Sequence, residues 1–302
     1  MQDTPLSGPL LVGIDVGGTK THLRALRGDT VVADHVRPSS GWRPCDPVAA
    51  AGWLAALLAE ALPKGTRPSA LAVGAHACET ARQCAQIRTA LQLHLDAPAL
   101  VVGDAELIVP AAGLDKGVGL VAGTGSVAVG RFADGTPVQV GGWGALLGDE
   151  GGGAGLVREA VRAVWAAHDR GEEPDALALG LLAAFDVPEV PALGAALESV
   201  TAASAEWGRH APAVFAAAEA GSPLARTVIA EAGRALAALV ERLAARGVVV
   251  DDVVVAGSTV LAQPPLYDAF ASALRESVPT ARPLPLRTPP VEGAVAMARS
   301  LV

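Results

Sequence analysis

The residues best suited to chemistry begin with an aspartate and a glycine-rich turn, Asp15-Val16-Gly17-Gly18-Thr19-Lys20-Thr21. A short apolar run precedes the turn and an alternating segment follows it, so we predict a β-hairpin. Glycines let backbone N–H groups approach an anion closely, and Thr19 adds a hydroxyl donor. The run is not a Walker A loop, because Thr19 stands where that motif requires lysine. Taken alone, the segment fits a phosphate-binding hairpin and an ordinary glycine turn equally well.

Asp15 gives the phosphate interpretation a further requirement. A carboxylate among phosphates is repelled unless a cation lies between them, and Mg²⁺ is the cation that usually accompanies nucleotide phosphates. We therefore expect Mg²⁺ near Asp15, held through water.

A second glycine turn, Gly123-Thr124-Gly125-Ser126, repeats this pattern. It follows an apolar segment at residues 118–122 and precedes an alternating segment at 126–132, with a further hairpin turn at Asp134-Gly135. Two such hairpins could hold a polyphosphate from opposite sides. The repetition in the same strand context favours phosphate binding more strongly than either turn alone.

A third segment, Gly103-Asp104-Ala105, places a carboxylate between a buried strand and a helix. Such an aspartate often caps the helix. It is also the residue type that accepts the proton of an attacking hydroxyl in phosphoryl transfer to an alcohol. The two roles can coexist.

Two further segments are rich in small residues. Residues 141–153 read GGWGALLGDEGGG, in which Trp143 and the acidic pair Asp149-Glu150 suit a polyol, although the acidic pair could also cap the next helix. Residues 255–259 read VAGST, a strand that enters a small-residue loop and a helix, where adenine and ribose could lie close to the backbone.

The elements that must position these segments form a mixed α/β protein. We predict strands at 10–15, 21–27, 31–36, 71–74, 100–103, 118–122, 126–132 and 248–255. We predict helices at 47–62, around 156–165 and at 224–243, the last ended by Gly247, and a final helix from about Glu292. The proline-rich segment 279–290 is interpreted as a connection.

Composition narrows the function. The chain has 302 residues, a length that favours two lobes, and a net charge of −8, which argues against nucleic-acid binding. We expect no membrane span and no secretory signal, and therefore a cytoplasmic protein. Three cysteines, Cys45, Cys78 and Cys84, are too few for a disulfide framework.

Taken in order, the five segments resemble the N-acetylglucosamine kinase branch of the BadF/BadG/BcrA/BcrD ATPase family. The similarity runs from about Leu11 to the last helix, and GGWG leading into GDEG at 141–151 is its most specific part. The resemblance implies a two-lobed ribonuclease H-like (actin-like ATPase) α/β fold with a cleft between the lobes. One lobe would comprise residues 1–112 joined by 291–302, and the other residues 113–290.

The resemblance also implies roles. Gly17, Gly18, Thr19, Lys20 and Thr21, together with Gly123, Thr124, Gly125 and Ser126, would bind the phosphates of ATP, and Gly257 and Ser258 its adenosine. Asp104 would be the general base, and Asp15 would serve Mg²⁺. Gly41, His76, Gly142, Trp143 and Asp149 fall at the sugar site. The expected reaction is phosphorylation of N-acetylglucosamine at its 6-hydroxyl, by an enzyme that could be a homodimer.

The sequence departs from the related kinases at sugar-pocket positions. Gly41 and Val127 stand where those kinases often use asparagine, and His76 where a small or hydroxyl residue is expected. Glucosamine or another hexosamine therefore remains an alternative substrate. Two other functions stay open: an ATPase that activates a partner enzyme, whose relatives hold a [4Fe–4S] cluster between subunits, and a regulatory protein without turnover.

Overall fold

The computed structural model describes residues 8–198 and 201–302. The expected absence of a secretory signal concerns the first residues, of which 1–7 lie outside the described part. The chain divides into two compact units. Unit 1 comprises Met1–Lys116 and Leu286–Val302, and unit 2 comprises Gly117–Pro285.

Unit 1 is built on a five-stranded sheet of order β3-β2-β1-β4-β5. The strands are β1 (Leu10–Val16), β2 (Lys20–Arg27), β3 (Thr30–Pro38), β4 (Ala70–Ala75) and β5 (Ala99–Gly103). Strands β1, β4 and β5 are parallel, whereas β1, β2 and β3 form an antiparallel meander. The connections are α1 (Pro47–Ala61) and α2 (Ala81–Leu91), and a 3-10 helix (Asp104–Leu107) continues into α3 (Ile108–Ala111).

Unit 2 repeats this topology, because its sheet order is β8-β7-β6-β9-β10. The strands are β6 (Val118–Ala122), β7 (Ser126–Arg131), β8 (Pro137–Gly141), β9 (Asp252–Ala256) and β10 (Arg282–Pro285). The helices are α4 (Gly153–Asp169), α5 (Ala176–Phe185), α6 (Leu193–Glu198), α7 (Ala211–Glu219), α8 (Pro223–Ala245), α9 (Ser258–Ala262) and α10 (Pro264–Ser277), with 3-10 helices at Val190–Ala192 and Thr201–His210. The repeat inferred from the two glycine turns therefore extends to the whole of each sheet.

Helix α8 shows how sequence signals set an element. Ser222 accepts a hydrogen bond from the Ala225 N–H at 2.9 Å, and Pro223 occupies the first helical turn, where it loses no hydrogen bond. One apolar face of the helix is buried, including Leu236 and Leu243. The helix ends before Gly247, whose φ of +93° suits a terminating glycine.

The last helix, α11 (Val291–Arg299), belongs to unit 1 and packs on β1 and β4. A side chain at Gly13 of β1 would collide with Val291 and Val295, so glycine at this position lets the helix approach the strand. Arg24 of β2 forms ion pairs with Asp34 of β3 and with Glu292 of α11. The start of a final helix near residue 292 is confirmed.

The proline-rich segment 279–290 is not simply a connection, because it contains β10. This strand pairs in parallel with β9 at the edge of the sheet, from Arg282 opposite Asp252 to Pro285 opposite Val255. An edge strand tolerates proline, since one side of it forms no ladder hydrogen bonds. The strand predicted at 248–255 begins only at Asp252.

Among the described residues, no single helix is long and apolar enough to cross a membrane. One pair of helical segments, Ala176–Phe185 and Val190–Glu198, passes the same length and composition test when taken together, with a bend of 52°.

Candidate functional site

The first group of predicted residues meets where the parallel strands of the unit 1 sheet end, and we call it the unit 1 cluster (Asp15, the turn 17–20, Gly41, His76 and Asp104). Parallel strands end at a common edge, and this edge is the usual ligand site of such sheets. Asp15 pairs with Gly74 of β4, which pairs with Val102 of β5. Asp104 follows β5 directly, so the two aspartates lie two strands apart, roughly 10 Å between backbones.

The turn between β1 and β2 is the predicted hairpin, closed by the Gly17 N–H donating to the Lys20 carbonyl at 3.0 Å. Gly18, Thr19 and Lys20 are exposed. Within the described chain, the N–H groups of Gly18 and Thr19 meet no acceptor, so they are available to an anion. A strand follows the turn, which agrees with the exclusion of a Walker A loop.

Thr21 differs from the other members of this turn. Its side chain is fully buried, and its hydroxyl lies 2.9 Å from the Ser39 hydroxyl, which donates to the Gly17 carbonyl at 2.7 Å. The Ser39 N–H also donates to the Thr19 carbonyl at 3.0 Å. The Thr21 side chain therefore supports the turn from below and is not presented to a nucleotide.

Asp15 is an unusual carboxyl group. Burial, aided by the negative charge of Asp104, raises the pKa of Asp15 to about 7, while Lys20 lowers it. A cation at this position would stabilise the ionised form. No group of three or more His, Cys, Asp or Glu side chains that could hold a metal occurs among the described residues. A Mg²⁺ ion that takes one carboxylate and otherwise phosphate and water oxygens fits this arrangement.

Asp104 does not cap the helix that it begins, contrary to one of the two interpretations of its sequence. Gly103 is the capping position, and the Glu106 carboxylate accepts the Gly103 N–H at 3.2 Å. The Asp104 Oδ1 atom accepts the N–H of its neighbour Ala105 at 2.9 Å. Its Oδ2 atom lies 3.4 Å from Nδ1 of His76. The Asp104 carboxylate is thus held in one orientation, but it does not serve as the cap of the helix.

Gly41 lies in the loop after β3, with φ of +87°. Two indoles fix this loop: Trp53 donates to the Ser40 carbonyl at 3.1 Å, and Trp42 donates to the His76 carbonyl at 3.0 Å. The two rings pack edge to face with centroids 5.6 Å apart. The loop therefore joins His76 and the glycine turn in the unit 1 cluster.

The second group of predicted residues, which we call the unit 2 cluster, lies at the turn between β6 and β7. Gly123 N–H donates to the Gly125 carbonyl at 3.0 Å, which closes a hairpin like the first. The first amides of α4 donate to this turn, from Gly153 to the Gly123 carbonyl at 2.8 Å and from Ala154 to the Thr124 carbonyl at 3.0 Å. Helix α4 thus supports the turn with its N-terminus and does not offer those amides to phosphate.

Ser126 was predicted to bind ATP, but its side chain is buried and its hydroxyl donates to the Glu150 carbonyl at 2.7 Å. Like Thr21, it supports its turn. Gly123, Thr124 and Gly125 are the exposed or half-buried residues of the second turn. Some of their backbone groups are already engaged in the hydrogen bonds of the turn itself.

The glycine-rich segment after β8 folds back onto this turn. Gly142 donates to the Ser126 carbonyl at 2.9 Å, with φ of +77°, and the indole of Trp143 is 75% exposed. Arg158 of α4 holds the middle of the segment by donating to the carbonyls of Ala145 and Gly148. The exposed indole is available for contact with a ligand.

Asp149 lies against the second turn, because its carboxylate fills the space that a side chain at Gly125 would need. Burial raises the pKa of Asp149, while the N–H groups of Ser126 and Gly144 and the charge of Arg158 oppose the shift. Its φ of +56° is rare for a residue other than glycine. Neither Asp149 nor Glu150 caps α4, whose capping residue is Gly152.

The predicted adenosine segment also reaches this turn. Gly257 has φ of +108°, and a side chain there would collide with the carbonyl of Ala122. The exposed Ser258 begins α9, and the Thr259 hydroxyl donates to the Gly123 carbonyl at 2.7 Å. Sequence reasoning named Gly257 and Ser258 but missed the link that Thr259 makes to the second turn.

The other supporting residues were missed for different reasons. Ser39 and Trp42 stand beside Gly41 in the segment Ser39-Ser40-Gly41-Trp42, so their position was a usable signal. Arg158 and Trp53 lie on helices without any motif, and only the folded chain shows what they hold.

All three cysteines lie in the described part of the chain. Cys45 is exposed, whereas Cys78 and Cys84 are buried with their sulfurs 3.0 Å apart. A cluster shared between subunits needs thiolates at the surface, so the buried pair does not favour the cluster-bearing alternative.

Known proteins are similar to this chain over most of its length. The family model of the BadF/BadG/BcrA/BcrD ATPases matches residues 12–298. An N-acetylmuramic acid/N-acetylglucosamine kinase of Clostridium acetobutylicum is 30% identical over 172 residues, 54% of this chain and 56% of that protein. The match thus spans little more than half the length of that curated relative.

Two solved structures share the fold. A proposed N-acetylglucosamine kinase from Chromobacterium violaceum has a TM-score of 0.72 at 23% identity, covering 96% of this chain and 99% of that one. A ROK family glucokinase from Streptomyces griseus, solved with glucose and AMPPNP, has a TM-score of 0.57 at 18% identity, covering 97% and 99%. The two-lobed ribonuclease H-like fold is confirmed.

Proposed function

Because the chain belongs to the BadF/BadG/BcrA/BcrD ATPase family, we propose that it is an ATP-dependent kinase of an amino sugar, with N-acetylglucosamine as the first candidate and its 6-hydroxyl as the acceptor. The observation that carries the proposal is the state of Asp104. Its carboxylate stands at the ligand edge of the sheet, is oriented by Ala105, and does not cap the helix that it begins.

The reaction follows from these residues. Asp104 accepts the proton of the sugar hydroxyl while the hydroxyl oxygen forms a bond to the γ-phosphorus of ATP. The bond from that phosphorus to the β,γ-bridging oxygen breaks, and ADP leaves with the electron pair. Positioning and charge stabilisation supply most of the rate in such transfers. Transfer requires that the sugar hydroxyl reach the γ-phosphorus of the bound ATP.

The backbone N–H groups of Gly18 and Thr19, with the charge of Lys20, are suited to the phosphates. The turn Gly123–Gly125 is suited to the phosphates of ATP. The segment at Gly257 and Ser258 is suited to its adenosine. Asp15 would hold the Mg²⁺ that accompanies the nucleotide, which would supply neutralising charge for the phosphates.

The sugar contacts are proposed in part on resemblance. Gly41 and His76 belong to the unit 1 cluster. Trp143 is exposed in the unit 2 cluster, and its indole could stack on a sugar face. Gly142 and Asp149 are proposed for the same sugar site, although the Asp149 carboxylate already accepts backbone N–H groups beside Gly125. The curated relative acts on N-acetylmuramic acid as well as N-acetylglucosamine, so both belong in the test.

The experiment is ADP release measured with N-acetylglucosamine, N-acetylmuramic acid, glucosamine, glucose and N-acetylmannosamine, beside a reaction without sugar. We expect sugar-dependent turnover, greatest with an N-acetylated hexosamine, and a 6-phosphate product by ³¹P and ¹H NMR. ATP hydrolysis that no sugar increases would instead favour the partner-activating ATPase.

The assignment of Asp104 has its own test. Asp104→Asn should lower kcat by about 10²- to 10⁴-fold, the range for loss of a positioned base, with little change in ATP binding. Asp96→Asn is the matched control, because Asp96 is an exposed aspartate of the same unit that pairs only with the exposed Arg67 among the described contacts. Near-normal turnover of Asp104→Asn would refute the assignment.

A further inference from the structure

We propose that His76 is a positioning residue, which holds the Asp104 carboxylate in the orientation that accepts a proton. The inference rests on the proposed role of Asp104 and gives His76 a function other than the sugar contact expected from its place in the sequence. Its basis is the geometry of one turn and one ring in unit 1.

The backbone of His76 is fixed on both sides. Its N–H donates to the Val16 carbonyl at 2.8 Å, and its own carbonyl accepts the Trp42 indole N–H at 3.0 Å. The next residue, Ala77, has φ of +58°, a conformation that costs energy for a residue with a side chain. The chain is therefore held in a strained turn. Because the backbone of His76 is fixed, the position from which its imidazole ring extends is fixed as well.

The ring lies between Gly18 and Asp104. Its Nδ1 atom is 3.4 Å from the Asp104 Oδ2 atom. On the other side, a side-chain carbon built at Gly18 would lie 3.2 Å from Nε2, so glycine leaves the imidazole its room. A separation of 3.4 Å is longer than a good hydrogen bond, but catalytic contacts commonly shorten when substrate binds.

With His76 in place, both carboxylate oxygens of Asp104 have a donor beside them. Oδ1 accepts the Ala105 N–H and Oδ2 faces Nδ1 of His76. Two donors restrict rotation of the carboxyl group about its bond to Cβ, and a restricted base needs less reorganisation in the transition state. Contact with Asp104, aided by the charge of Glu79, raises the pKa of His76 against burial, so Nδ1 readily carries the proton that it donates.

The chain offers a matched pair of substitutions. In asparagine the amide nitrogen is attached to Cγ, as Nδ1 is in histidine, whereas in glutamine it stands one carbon further out, near the position of Nε2. His76→Asn should therefore keep the donor to Asp104, and His76→Gln should lose it while remaining polar and similar in size.

The experiment measures kcat and KM for both substrates of the full-length enzyme in the His76→Asn, His76→Gln and His76→Ala variants. We expect His76→Asn to stay within about threefold of wild-type kcat. We expect His76→Gln and His76→Ala to lose roughly 10- to 100-fold in kcat, as for one charge-assisted hydrogen bond, with little change in the KM for ATP. Thermal unfolding shows whether each variant folds. Equal activity of His76→Asn and His76→Gln would overturn the inference.

A double-mutant cycle with Asp104→Asn separates this inference from the proposed function. If His76 acts through Asp104, His76→Gln should cause no further loss in the Asp104→Asn background. The same fold-loss in both backgrounds would show an independent role and overturn the inference. Normal activity of Asp104→Asn alone would instead overturn the proposed role of Asp104 as the base, and turnover that no sugar increases would overturn the proposed function. A rise in sugar KM with unchanged kcat would return His76 to direct sugar contact.

Discussion

At the scale of single residues, the most informative group is Asp15, because its burial disfavours the charged form of its carboxyl group. Burial and the neighbouring Asp104 carboxylate raise the pKa of Asp15 to about 7 from 3.8. A raised carboxyl pKa means that the folded protein prefers the protonated form, so this group's contribution to stability is full below pH 4 and is lost as the pH rises through 7. Carboxyl groups with strongly shifted pKa values are concentrated at functional sites.

Asp15→Asn should therefore stabilise the ligand-free protein at pH 8, by a few kcal/mol at most, and make no difference near pH 4. Asparagine is neutral at every pH, so the variant lacks the loss between pH 4 and 7. Chemical unfolding from pH 4 to pH 8 measures this, with Asp96→Asn as the control. Parallel curves for wild type and Asp15→Asn would contradict the shifted pKa.

The same variant should respond differently to the nucleotide. Mg²⁺ with ATP should raise the Tm of the wild type more than that of Asp15→Asn, because the variant lacks the carboxylate proposed to serve the cation. An equal rise in Tm in both proteins would show that Asp15 does not serve the metal. It would not bear on the raised pKa of Asp15, which the pH dependence of unfolding tests separately.

Sequence reasoning identified residues by type and spacing more reliably than it identified what each side chain does. Asp104 and the two glycine turns stand at the ends of strands as predicted, because strand ends and glycines can be recognised in a single sequence. Thr21 and Ser126 were predicted to bind ATP together with their turns, yet both hydroxyls face the protein interior. The alternation of side chains along a strand sets the face on which each one lies, and the element packed on that face decides what it contacts.

At the scale of elements, the turn between β6 and β7 is packed against a glycine that lies far away in sequence. This glycine is Gly257, where the positive φ and the nearby Ala122 carbonyl both exclude a side chain. Gly135, in the turn between β7 and β8, has φ of +84° but no atom within 4 Å of a built side-chain carbon. The two glycines share the backbone requirement and differ in the space around them.

Gly257→Ala should consequently be more destabilising than Gly135→Ala. Both variants carry the penalty for alanine at positive φ, about 1–2 kcal/mol, and Gly257→Ala adds an overpacking penalty of about 1–3 kcal/mol. It should also raise the KM for ATP, because the shift displaces Gly123. Urea unfolding and steady-state kinetics of the two variants measure these effects, and equal destabilisation would argue against the close contact.

Among the elements, β10 shows where sequence patterns fail. A segment with Pro283 and Pro285 predicts a connection, because proline cannot donate to a sheet ladder. Only the placement of β10 at the edge makes it a strand, and position in a sheet is decided by the whole fold. Helices α8 and α11 were easier, since their apolar stripes and terminating residues are local.

At the scale of the whole molecule, the chain leaves unit 1 after Lys116 and returns at Leu286, compared with predicted boundaries after residues 112 and 290. Unit 2 is therefore one continuous segment, whereas unit 1 is made from two. The returning segment is tied to the departing one, because the Thr288 hydroxyl donates to the Ala111 carbonyl at 2.6 Å. Helix α11 then covers Gly13 and buries Val291, Ala294 and Ala298.

Excision should thus affect the two units differently. Residues 117–285 should fold as a separate chain, because both edges of their sheet and the core around α8 lie within the segment. Residues 1–116 alone should not, since removing α11 exposes the apolar face of β1 and β4 that it covers, whereas joining 1–116 to 286–302 by a short glycine linker should restore folding. Circular dichroism and the dispersion of ¹H–¹⁵N NMR spectra distinguish these cases. A well-dispersed spectrum from 1–116 alone would show that unit 1 does not need α11 in order to fold. In the joined chain, Val295→Asp places a charge against Gly13, so it should abolish the restored folding if α11 packs as described.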